Sequence, residues 1–362
     1  MNHQPTNSQI RVLIVDDSAF MRTALSRMIA SDPEISVVGT ASSGSEALQR
    51  VPSLDPHVIT LDVQMPGLDG LQTLSRIMAQ FPRPVIMVSS LTVKDAETTF
   101  NALAAGAFDY VPKRLSTTSL DILHLQNDLI AKIKAAAESR HSDEPLIVPR
   151  KPPQPVAMPM HEASRSPLAI IALGISTGGP KALQDILPVL PVDTPAPILV
   201  VQHMPCGFTA PFAQRLNNLC AVSVCEAAHG EAVVPGMVYI APAGSHLTVE
   251  RLSSRTLICL SDKPENQLHT PSVDVMMQSV ASAFGPLAMG IIMTGMGSDG
   301  AQGMSAIHRE GGLTVGQDER SCAVYGMPRA CAEMRILDRV VPLSQIPYEI
   351  LQATRARKAS VS

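Results

Sequence analysis

Short apolar runs alternate with helical patterns along most of this 362-residue chain, and one proline-rich stretch interrupts the alternation. Strands that alternate with helices predict parallel sheets with helices on both faces. Five such runs come before the interruption: IRVLIV, ISVVGT, HVITLD, PVIMVSS and FDYVP. The last helix of this half is expected to begin near Ser119 and to bury Leu120, Leu123, Ile130 and Ile133. The pattern predicts a doubly wound (βα)5 domain of the flavodoxin-like class.

Seven prolines crowd the interval from 142 to 167, where the hydrophobic periodicity stops. Such a segment favours an extended, semi-rigid linker. A chain of this length is also longer than one core usually supports. We therefore expect a first domain at 10–138, a linker at 139–167 and a second domain at 168–355.

The second half resumes the alternation of strands and helices. The runs LAIIALG, PILVVQ, AMGIIMT and GLTVGQ are expected to be strands of a mainly parallel, doubly wound α/β sheet. Between them, MVYIA, HLTVE and TLICL follow one another closely and predict an antiparallel β excursion. The chain order of the catalytic candidates described below differs from that of ordinary α/β-hydrolases, so we expect a separate hydrolase fold.

Composition excludes several classes of function. The formal net charge is -4 and the pI is about 6.2, with no basic stripe and no helix-turn-helix pattern, so nucleic acid is not an expected partner. No run approaches the roughly 20 apolar residues that span a bilayer, and the N-terminus lacks a signal-peptide pattern, so we expect a cytoplasmic protein without membrane insertion. The cysteines have no metal-ligand spacing and are expected to be reduced, buried thiols: Cys206, Cys220, Cys225, Cys259, Cys322 and Cys331.

Acidic residues end two strands of the first domain. Asp16 and Asp17 follow the first strand, Asp62 ends the third, Ser89 ends the fourth and Lys113 follows the fifth. Ligands of open α/β sheets bind beyond these carboxyl ends. Three carboxylates in one crevice repel one another unless a hard divalent cation such as Mg²⁺ neutralises them. With Mg²⁺ and Lys113 neutralising a phosphoryl group, Asp62 can act as the nucleophile and form an aspartyl phosphate.

The alternative is that these aspartates only cap the following helices. Their joint pattern, with Met65-Pro66 after Asp62, resembles the receiver domain of two-component response regulators over residues 10 to 137. A departure is Arg114, which replaces the proline that usually follows the lysine. The resemblance implies a phosphoacceptor (Asp62), Mg²⁺ ligands (Asp16, Asp17, Asp62 and the carbonyl of Gln64), a switch hydroxyl (Ser89), a switch aromatic residue (Tyr110) and a phosphate-pairing lysine (Lys113).

A serine lies at a glycine-rich bend where the second domain begins. The first strand of this domain runs into Gly174-Ile175-Ser176-Thr177-Gly178-Gly179-Pro180, a G-x-S-x-G turn before a helix. Two other strands end in His203 and close to Asp299. A serine hydroxyl becomes a nucleophile when a neutral imidazole takes its proton and a carboxylate orients that imidazole. The pattern predicts that Ser176, His203 and Asp299 form a catalytic triad.

Other assignments remain open at this point. A glycine-rich turn can also bind phosphate or only reverse the chain. Cys206 is a weaker candidate nucleophile because it lies on the loop of the base and has no partner of its own. Four further histidines have weaker positions in surface segments or loops; His246, in a tight loop between strands, is the one most suited to line the pocket. The set is His229, His246, His269 and His308.

Residues 168 to about 350 resemble the protein-glutamate methylesterases of bacterial chemotaxis, the CheB family. The shared motifs are GISTGGP, QHMPCGFTAPFAQRL, APAGSHL, TPSVDVMM, MTGMGSDGAQG and GQDERSCAVYGMP. The resemblance implies that Ser176 is the nucleophile, His203 the general base and Asp299 its orienting acid. It places oxyanion support at Thr177 and Met296. Ile175 stands where alanine is common.

The resemblance implies a phosphorylation-activated methylesterase that hydrolyses glutamate methyl esters and deamidates glutamines on chemoreceptors. Its phosphodonor is a chemotaxis histidine kinase, its receiver uses Mg²⁺, and the esterase needs no cofactor. We further hypothesise that the unphosphorylated receiver packs across the Ser176 crevice and that phosphorylation loosens it. The alternative is a receptor-binding module without catalysis; a DNA-binding regulator has the wrong charge.

Overall fold

A computed structural model describes residues 9–90, 92–113, 119–139, 168–253, 255–265 and 267–355. Arg114 and the predicted linker from residue 140 onward lie outside the described residues. The expected domain bounds therefore stay a prediction. Within the described residues, two parallel sheets account for the two series of strands.

The first sheet has five parallel strands in the order β2-β1-β3-β4-β5. Its strands are β1 (Ile10–Val15), β2 (Ile35–Ala41), β3 (Val58–Asp62), β4 (Val85–Ser89) and β5 (Asp109–Pro112). The helices are α1 (Ala19–Ile29), α2 (Gly44–Leu54), α3 (Gly70–Gln80), α4 (Val93–Ala104) and α5 (Ser119–Ser139). The predicted (βα)5 class is confirmed.

The helices of this domain begin close to the strand ends because polar side chains cap them. Ser18, Ser43 and Asp69 each accept an N–H from the residue three positions later, which satisfies one free donor of the first turn. These caps fix where each βα loop closes above the sheet. The loops that carry the acidic residues are therefore short and held at both ends.

The buried face of α5 includes Ile133, as expected, and Ile130 packs against the same core, but Leu123 does not belong to it. The side chain of Leu120 lies outside what the structure describes. Leu125, Leu129 and Ile133 are buried, whereas Leu123 is 51% exposed. The expected face was therefore wrong at Leu123. Its phase was misread because leucines and isoleucines occur on more than one side of this helix, and burial follows the contact of α5 with α1 and the sheet.

The second sheet has seven parallel strands in the order β14-β13-β12-β6-β7-β9-β8. Its strands are β6 (Ile170–Ile175), β7 (Ile198–Gln202), β8 (Ser223–Glu226), β9 (Met237–Ile240), β12 (Ala288–Ile292), β13 (Leu313–Gln317) and β14 (Arg339–Val341). The helices are α6 (Gly179–Ile186), α7 (Thr209–Leu219), α8 (Val273–Phe284), α9 (Ala301–Arg309), α10 (Met327–Glu333) and α11 (Ile346–Arg355).

A separate antiparallel pair, β10 (His246–Arg251) and β11 (Thr256–Ser261), stands apart from this sheet and packs on α8. The mainly parallel fold with an antiparallel excursion is confirmed, but the excursion has two strands, because β9 (the run MVYIA) joins the main sheet parallel to β7 and β8. Sequence alternation reveals a strand but not the direction of its partner, which is why this strand was misplaced.

The six cysteines carry free thiols, as expected. The expectation that all are buried was wrong: Cys331 is buried, Cys206 is exposed, and the others are intermediate. Among the described residues, no helix is long and apolar enough to cross a membrane.

The two halves of the chain meet through aromatic side chains. Phe100 of α4 contacts Phe208 and Phe212, with ring centroids 5.9 Å and 5.1 Å away. Tyr110 of β5 stacks on Phe208 with centroids 5.1 Å apart. These four rings are at most 3% exposed. The receiver therefore buries its α4–β5 side against the second domain.

Candidate active sites

Three neighbouring strands of the second sheet place the predicted catalytic side chains together. β6 lies between β12 and β7, and Ser176 directly follows β6. His203 follows β7, and Asp299 lies on the loop after β12. The carboxyl ends of adjacent parallel strands share one edge, so all three residues reach the same crevice. The structure brings together the three residues that the sequence predicted.

The three side chains form a continuous hydrogen-bonded chain. Nδ1 of His203 lies 3.2 Å from Oγ of Ser176, and Nε2 lies 2.8 Å from Oδ2 of Asp299. A carboxylate accepts hydrogen bonds, so in this arrangement Nε2 carries the proton and the lone pair of Nδ1 faces the hydroxyl. This orientation suits His203 to accept the hydroxyl proton of Ser176.

The Asp299 carboxylate is held by the N-terminus of α8. Oδ1 accepts from Oγ of Ser272 at 2.9 Å and from the N–H of Asp274 at 3.0 Å. Oδ2 accepts from the N–H of Val273 at 2.8 Å, beside His203. Burial alone would raise the pKa of Asp299, but the hydrogen bond and charge of His203, with these N–H groups, hold it at about 2. The group is therefore ionised and fixed in direction.

A second aspartate fixes the loop that carries Asp299. The side chain of Asp274 accepts the N–H groups of Gly300 and Gly303 at 2.9 Å and 2.7 Å. Burial raises the pKa of Asp274, the Gly303 N–H opposes this, and the nearby charge of Asp299 adds to the rise. Sequence reasoning missed the roles of Ser272 and Asp274. A serine before an aspartate at a helix start is a capping signal that pointed to them.

Gln202, the last residue of β7, hydrogen-bonds to the loop that follows β6 and to the loop that follows β7. Its Nε2 donates to the carbonyls of Ser176 and His203, both at 3.0 Å. Gly179 is required here because a Cβ atom would lie 1.9 Å from Oε1 of Gln202. On the other side, a Cβ at Gly295 would lie 2.8 Å from Cβ of Ser176. Ser176, the predicted nucleophile, is therefore closely enclosed by neighbouring backbone, which sequence reasoning also missed.

Of the predicted oxyanion residues, Thr177 directly follows Ser176, and Met296 directly follows Gly295, which packs against Ser176. Thr177 is buried, and its carbonyl accepts from Oγ1 of Thr294 at 2.9 Å. Met296 is partly exposed on the loop after β12. Ile175 is fully buried in β6, so its larger side chain is taken up by the core. The loop after β12 is also held by Gly326, whose N–H donates to the carbonyl of Gly295 at 3.0 Å.

The other histidines and Cys206, which were weaker candidates, occupy different positions relative to the site. His269 is a loop residue, but its ring stacks on His203 with centroids 4.0 Å apart, which the sequence did not predict. His246 is fully buried behind the site and does not line it. His229 accepts the N–H of Leu260, and His308 lies in the last turn of α9. Cys206 is exposed on the loop that follows His203.

The receiver residues also converge. Nζ of Lys113 lies 2.5 Å from Oδ2 of Asp62 and 3.0 Å from Oδ2 of Asp16. Asp16 and Asp62 are buried, whereas Asp17 is exposed. The capping alternative accounts for only part of this: Asp16 Oδ1 accepts the N–H of Ser18, but the Oδ2 atoms of both buried carboxylates point to the lysine.

A divalent cation fits this crevice. Oxygen atoms of Asp16, Asp17 and Asp62 lie within 4.8 Å of one another. The Oδ2 atoms of Asp16 and Asp62 are buried and accept no hydrogen bond of good geometry. Burial raises the pKa of Asp62 to about 6 even though Lys113 opposes the rise. Carboxylate oxygens that lack sufficient counter-charge suit a hard cation such as Mg²⁺.

The predicted switch residues lie between this crevice and the second domain. Ser89 is fully buried and its Oγ accepts from Oγ1 of Thr99 at 2.8 Å. Next to Tyr110, the carboxylate of Asp109 accepts the N–H of Gly178 at 3.4 Å, two residues after Ser176. Burial raises the pKa of Asp109, although Lys132 opposes this. The first domain therefore contacts the loop that follows Ser176 directly.

Comparisons with known proteins agree with both domains. The family model for the CheB methylesterase matches residues 171–350, and that for the response regulator receiver domain matches residues 12–123. A protein-glutamate methylesterase/protein-glutamine glutaminase of Nitratidesulfovibrio vulgaris is 45% identical, covering 94% of this chain and 98% of the relative. One from Halalkalibacterium halodurans is 42% identical, covering 95% and 98%.

Among solved structures, the catalytic domain of the Thermotoga maritima CheB methylesterase is 37% identical with a TM-score of 0.50, covering 52% of this chain and 99% of that one. The similarity thus spans nearly the whole chain and includes both domains. The resemblance predicted from the sequence is confirmed: the chain belongs to the CheB methylesterase family, with a response-regulator receiver domain ahead of its catalytic domain.

Proposed function

We propose that this chain hydrolyses glutamate γ-methyl esters, and deamidates glutamines, on chemoreceptors through a Ser176-His203-Asp299 triad that phosphorylation of Asp62 activates. The observation that carries the proposal is the unbroken chain of contacts from Oγ of Ser176 through both ring nitrogens of His203 to Asp299. Relatives at 42–45% identity carry both activities in their names.

In the first half-reaction Oγ of Ser176 attacks the γ-carbonyl carbon while Nδ1 of His203 takes the hydroxyl proton. The tetrahedral intermediate collapses when the C–O bond to the methoxy group breaks, and the imidazolium returns the proton to methanol. Asp299 stabilises the transient positive charge through Nε2–H. Its low pKa keeps it ionised throughout, so it orients the ring and does not take the proton.

In the second half-reaction water attacks the acyl-serine and Nδ1 of His203 takes one water proton. The ester bond breaks, the proton returns to Oγ of Ser176, and glutamate is released. A glutamine amide gives the same acyl-serine with ammonia as the leaving group, so one site serves both substrates. The esterase needs no cofactor in this scheme.

The developing oxyanion is assigned to backbone N–H groups at Thr177 and Met296. Both residues flank Ser176, one at the N-terminal approach of α6 and one on the loop after β12. Donors placed where negative charge develops are typically worth about 3 kcal/mol each. The close packing of Gly295 against Ser176 supports this assignment because it holds the second loop at the nucleophile.

Asp62 is assigned as the phosphoacceptor. Asp16, Asp17, Asp62 and the carbonyl of Gln64 would hold Mg²⁺, which neutralises charge on the phosphoryl group when bound. Lys113 already pairs with Asp62 and Asp16 and would pair with the phosphate. Ser89 and Tyr110 would report the phosphorylated state. The phosphodonor is a chemotaxis histidine kinase.

Phosphorylation is proposed to control access to Ser176 by loosening the receiver. The neighbouring residues Asp109 and Tyr110 contact the loops that follow Ser176 and His203. A change at the phosphorylation site that shifts β5, whose first two residues are Asp109 and Tyr110, would release both contacts. The enzyme is placed in the cytoplasm, where it acts on the cytoplasmic part of membrane receptors, and domain bounds of 10–138 and 168–355 suit this two-body scheme.

The test is methanol release from methylated receptor membranes by the full chain, with and without acetyl phosphate and Mg²⁺. Ser176→Ala is the inactive variant, and Ser253→Ala, an exposed serine of the hairpin, is the matched control. We expect release that needs Ser176 and increases with the phosphodonor. No release from the wild-type chain under either condition would overturn the proposal and favour a binding module without catalysis.

A further inference from the structure

A second histidine, His246, lies behind the triad and does not touch it. Its side chain is fully buried at the first position of β10. Nδ1 accepts the backbone N–H of Ser272 at 3.1 Å, and Nε2 lies 3.2 Å from the carbonyl oxygen of Pro264. An N–H only donates and a carbonyl only accepts, so the ring is neutral with its proton on Nε2.

These two bonds join positions on either side of a surface loop. Pro264 precedes this loop and Ser272 ends it, and His269 lies between them. The ring of His269 stacks on that of His203, with centroids 4.0 Å apart and planes 22° from parallel. One buried imidazole therefore fixes both ends of the segment that packs on the catalytic base.

The same bonds set the position of the Asp299 carboxylate. Ser272 is the N-cap of α8, and its Oγ donates to Oδ1 of Asp299 at 2.9 Å. The next two N–H groups, of Val273 and Asp274, also donate to Asp299. Because His246 holds the N–H of Ser272, it determines where this row of three donors begins.

We infer that His246 is a positioning residue for the triad: it holds Ser272 and, through it, the Asp299 carboxylate and the imidazole of His203. The inference rests on the proposed function. It also gives the antiparallel pair β10–β11 a role, since this pair carries His246 and packs along α8. Loss of a group that positions another group typically lowers activity by about ten- to a hundredfold.

Two substitutions separate positioning from general support of the core. In His246→Asn, Oδ1 takes the place of Nδ1 and can still accept the Ser272 N–H. In His246→Gln, Nε2 takes the place of the ring Nε2 and can still donate to Pro264, but no acceptor remains for Ser272. Each variant keeps one of the two hydrogen bonds, so a purely structural role predicts similar losses of stability and of activity.

The experiment measures kcat, KM and the unfolding temperature of the phosphorylated full chain with methylated receptor membranes. We expect His246→Gln to lower kcat about ten- to a hundredfold with KM changed less than about twofold, and His246→Asn to keep kcat within about threefold of wild type. Equal kcat in the two variants, or kcat losses that follow their unfolding temperatures, would overturn the inference.

A spectroscopic measurement keeps this outcome separate from failure of the proposed function. In a chain with ¹⁵N-labelled histidine, the Nε2–H resonance of His203 should persist in His246→Asn and broaden or exchange away in His246→Gln. An inactive wild-type chain would defeat the proposed function, while the resonance would still decide the role of His246. If His246→Gln does not fold, His246→Ala replaces it and is assayed with and without added imidazole. If this variant folds but imidazole does not restore its kcat, the inference is contradicted.

Discussion

The ring of Tyr110 lies parallel to that of Phe208, with planes 7° apart and centroids 5.1 Å apart. Tyr110 is the second residue of β5, three residues before Lys113, and Phe208 is the last residue of the loop that begins at His203. The adjacent residue, Asp109, bonds to Gly178 on the loop that begins at Ser176. Two consecutive receiver residues thus contact the loops that follow Ser176 and His203, and a shift of β5 would reach the proposed nucleophile and the proposed base together.

Removal of the Tyr110 ring should release part of the inhibition that the unphosphorylated receiver is proposed to exert on the esterase. Offset ring pairs are worth about 0.5–1.5 kcal/mol beyond their buried area, so Tyr110→Leu should raise methanol release without a phosphodonor by about two- to tenfold. The stimulation by acetyl phosphate should fall accordingly. Tyr348→Leu, at an exposed tyrosine of α11, is the control and should leave both rates unchanged. An unchanged basal rate in Tyr110→Leu would show that this stack does not restrain the enzyme.

Asp62→Asn should change stability in a pH-dependent way. Because burial raises the pKa of Asp62 to about 6, the folded chain binds its proton more tightly than the unfolded chain does. The stability that this proton contributes is fully present below about pH 4 and is lost as the pH rises through 6. Above pH 6 and without Mg²⁺, the neutral variant should therefore be more stable than wild type, by at most about 3 kcal/mol.

Calorimetric unfolding at pH 4 and pH 7.5, with a chelator present, measures this difference. The advantage of Asp62→Asn should appear at pH 7.5 and shrink at pH 4. Added Mg²⁺ should stabilise the wild-type chain more than the variant, and acetyl phosphate should not activate the variant. A variant that is less stable at pH 7.5 would mean that the pairing with Lys113 outweighs the cost of burying the Asp62 charge.

Asp299→Asn should inactivate the enzyme through the tautomer of His203. The amide can donate to Nε2, which would move the ring proton to Nδ1. A protonated Nδ1 faces Ser176 but cannot accept the hydroxyl proton of Ser176. The loss of kcat should be about 10³- to 10⁴-fold, as an incorrectly protonated triad histidine costs in other serine hydrolases. Methanol release under saturating receptor measures it, and Asp262→Asn, at an exposed aspartate, is the control. A loss below tenfold would contradict the assigned role of Asp299.

The meeting of Ser176, His203 and Asp299, the proposed catalytic residues, was predictable because parallel strands end at a common edge, so residues after β6, β7 and β12 had to meet. The same reasoning predicted the crevice of Asp16, Asp62 and Lys113. His246 was not predictable in its role, since its bonds to Pro264 and Ser272 depend on how a separate hairpin packs on α8. The stack of Tyr110 on Phe208 depends on the arrangement of two domains, which no local pattern encodes.

The close packing of Gly295 against Ser176 gives the last prediction. A Cβ atom at Gly295 would lie 2.8 Å from Cβ and 3.1 Å from the backbone N of Ser176. The nearest atom of all, Sδ of Met327 at 2.3 Å, belongs to a flexible side chain that can move, whereas these two atoms of Ser176 are fixed by the backbone. Gly295→Ala should therefore displace Ser176. A shift near 1 Å at a catalytic group costs about a hundredfold in rate. We expect kcat to fall by that order.

Gly297→Ala is the matched control, because it lies on the same loop with no atom within 4 Å of the added Cβ. Its φ of +79° makes the substitution strained, so this variant should lose about 1 kcal/mol of stability while kcat falls much less than in Gly295→Ala. The pair thus separates contact with Ser176 from general strain of the loop. If the two variants lose kcat equally, the loss comes from strain of the loop. Contact of residue 295 with Ser176 would then not be its cause.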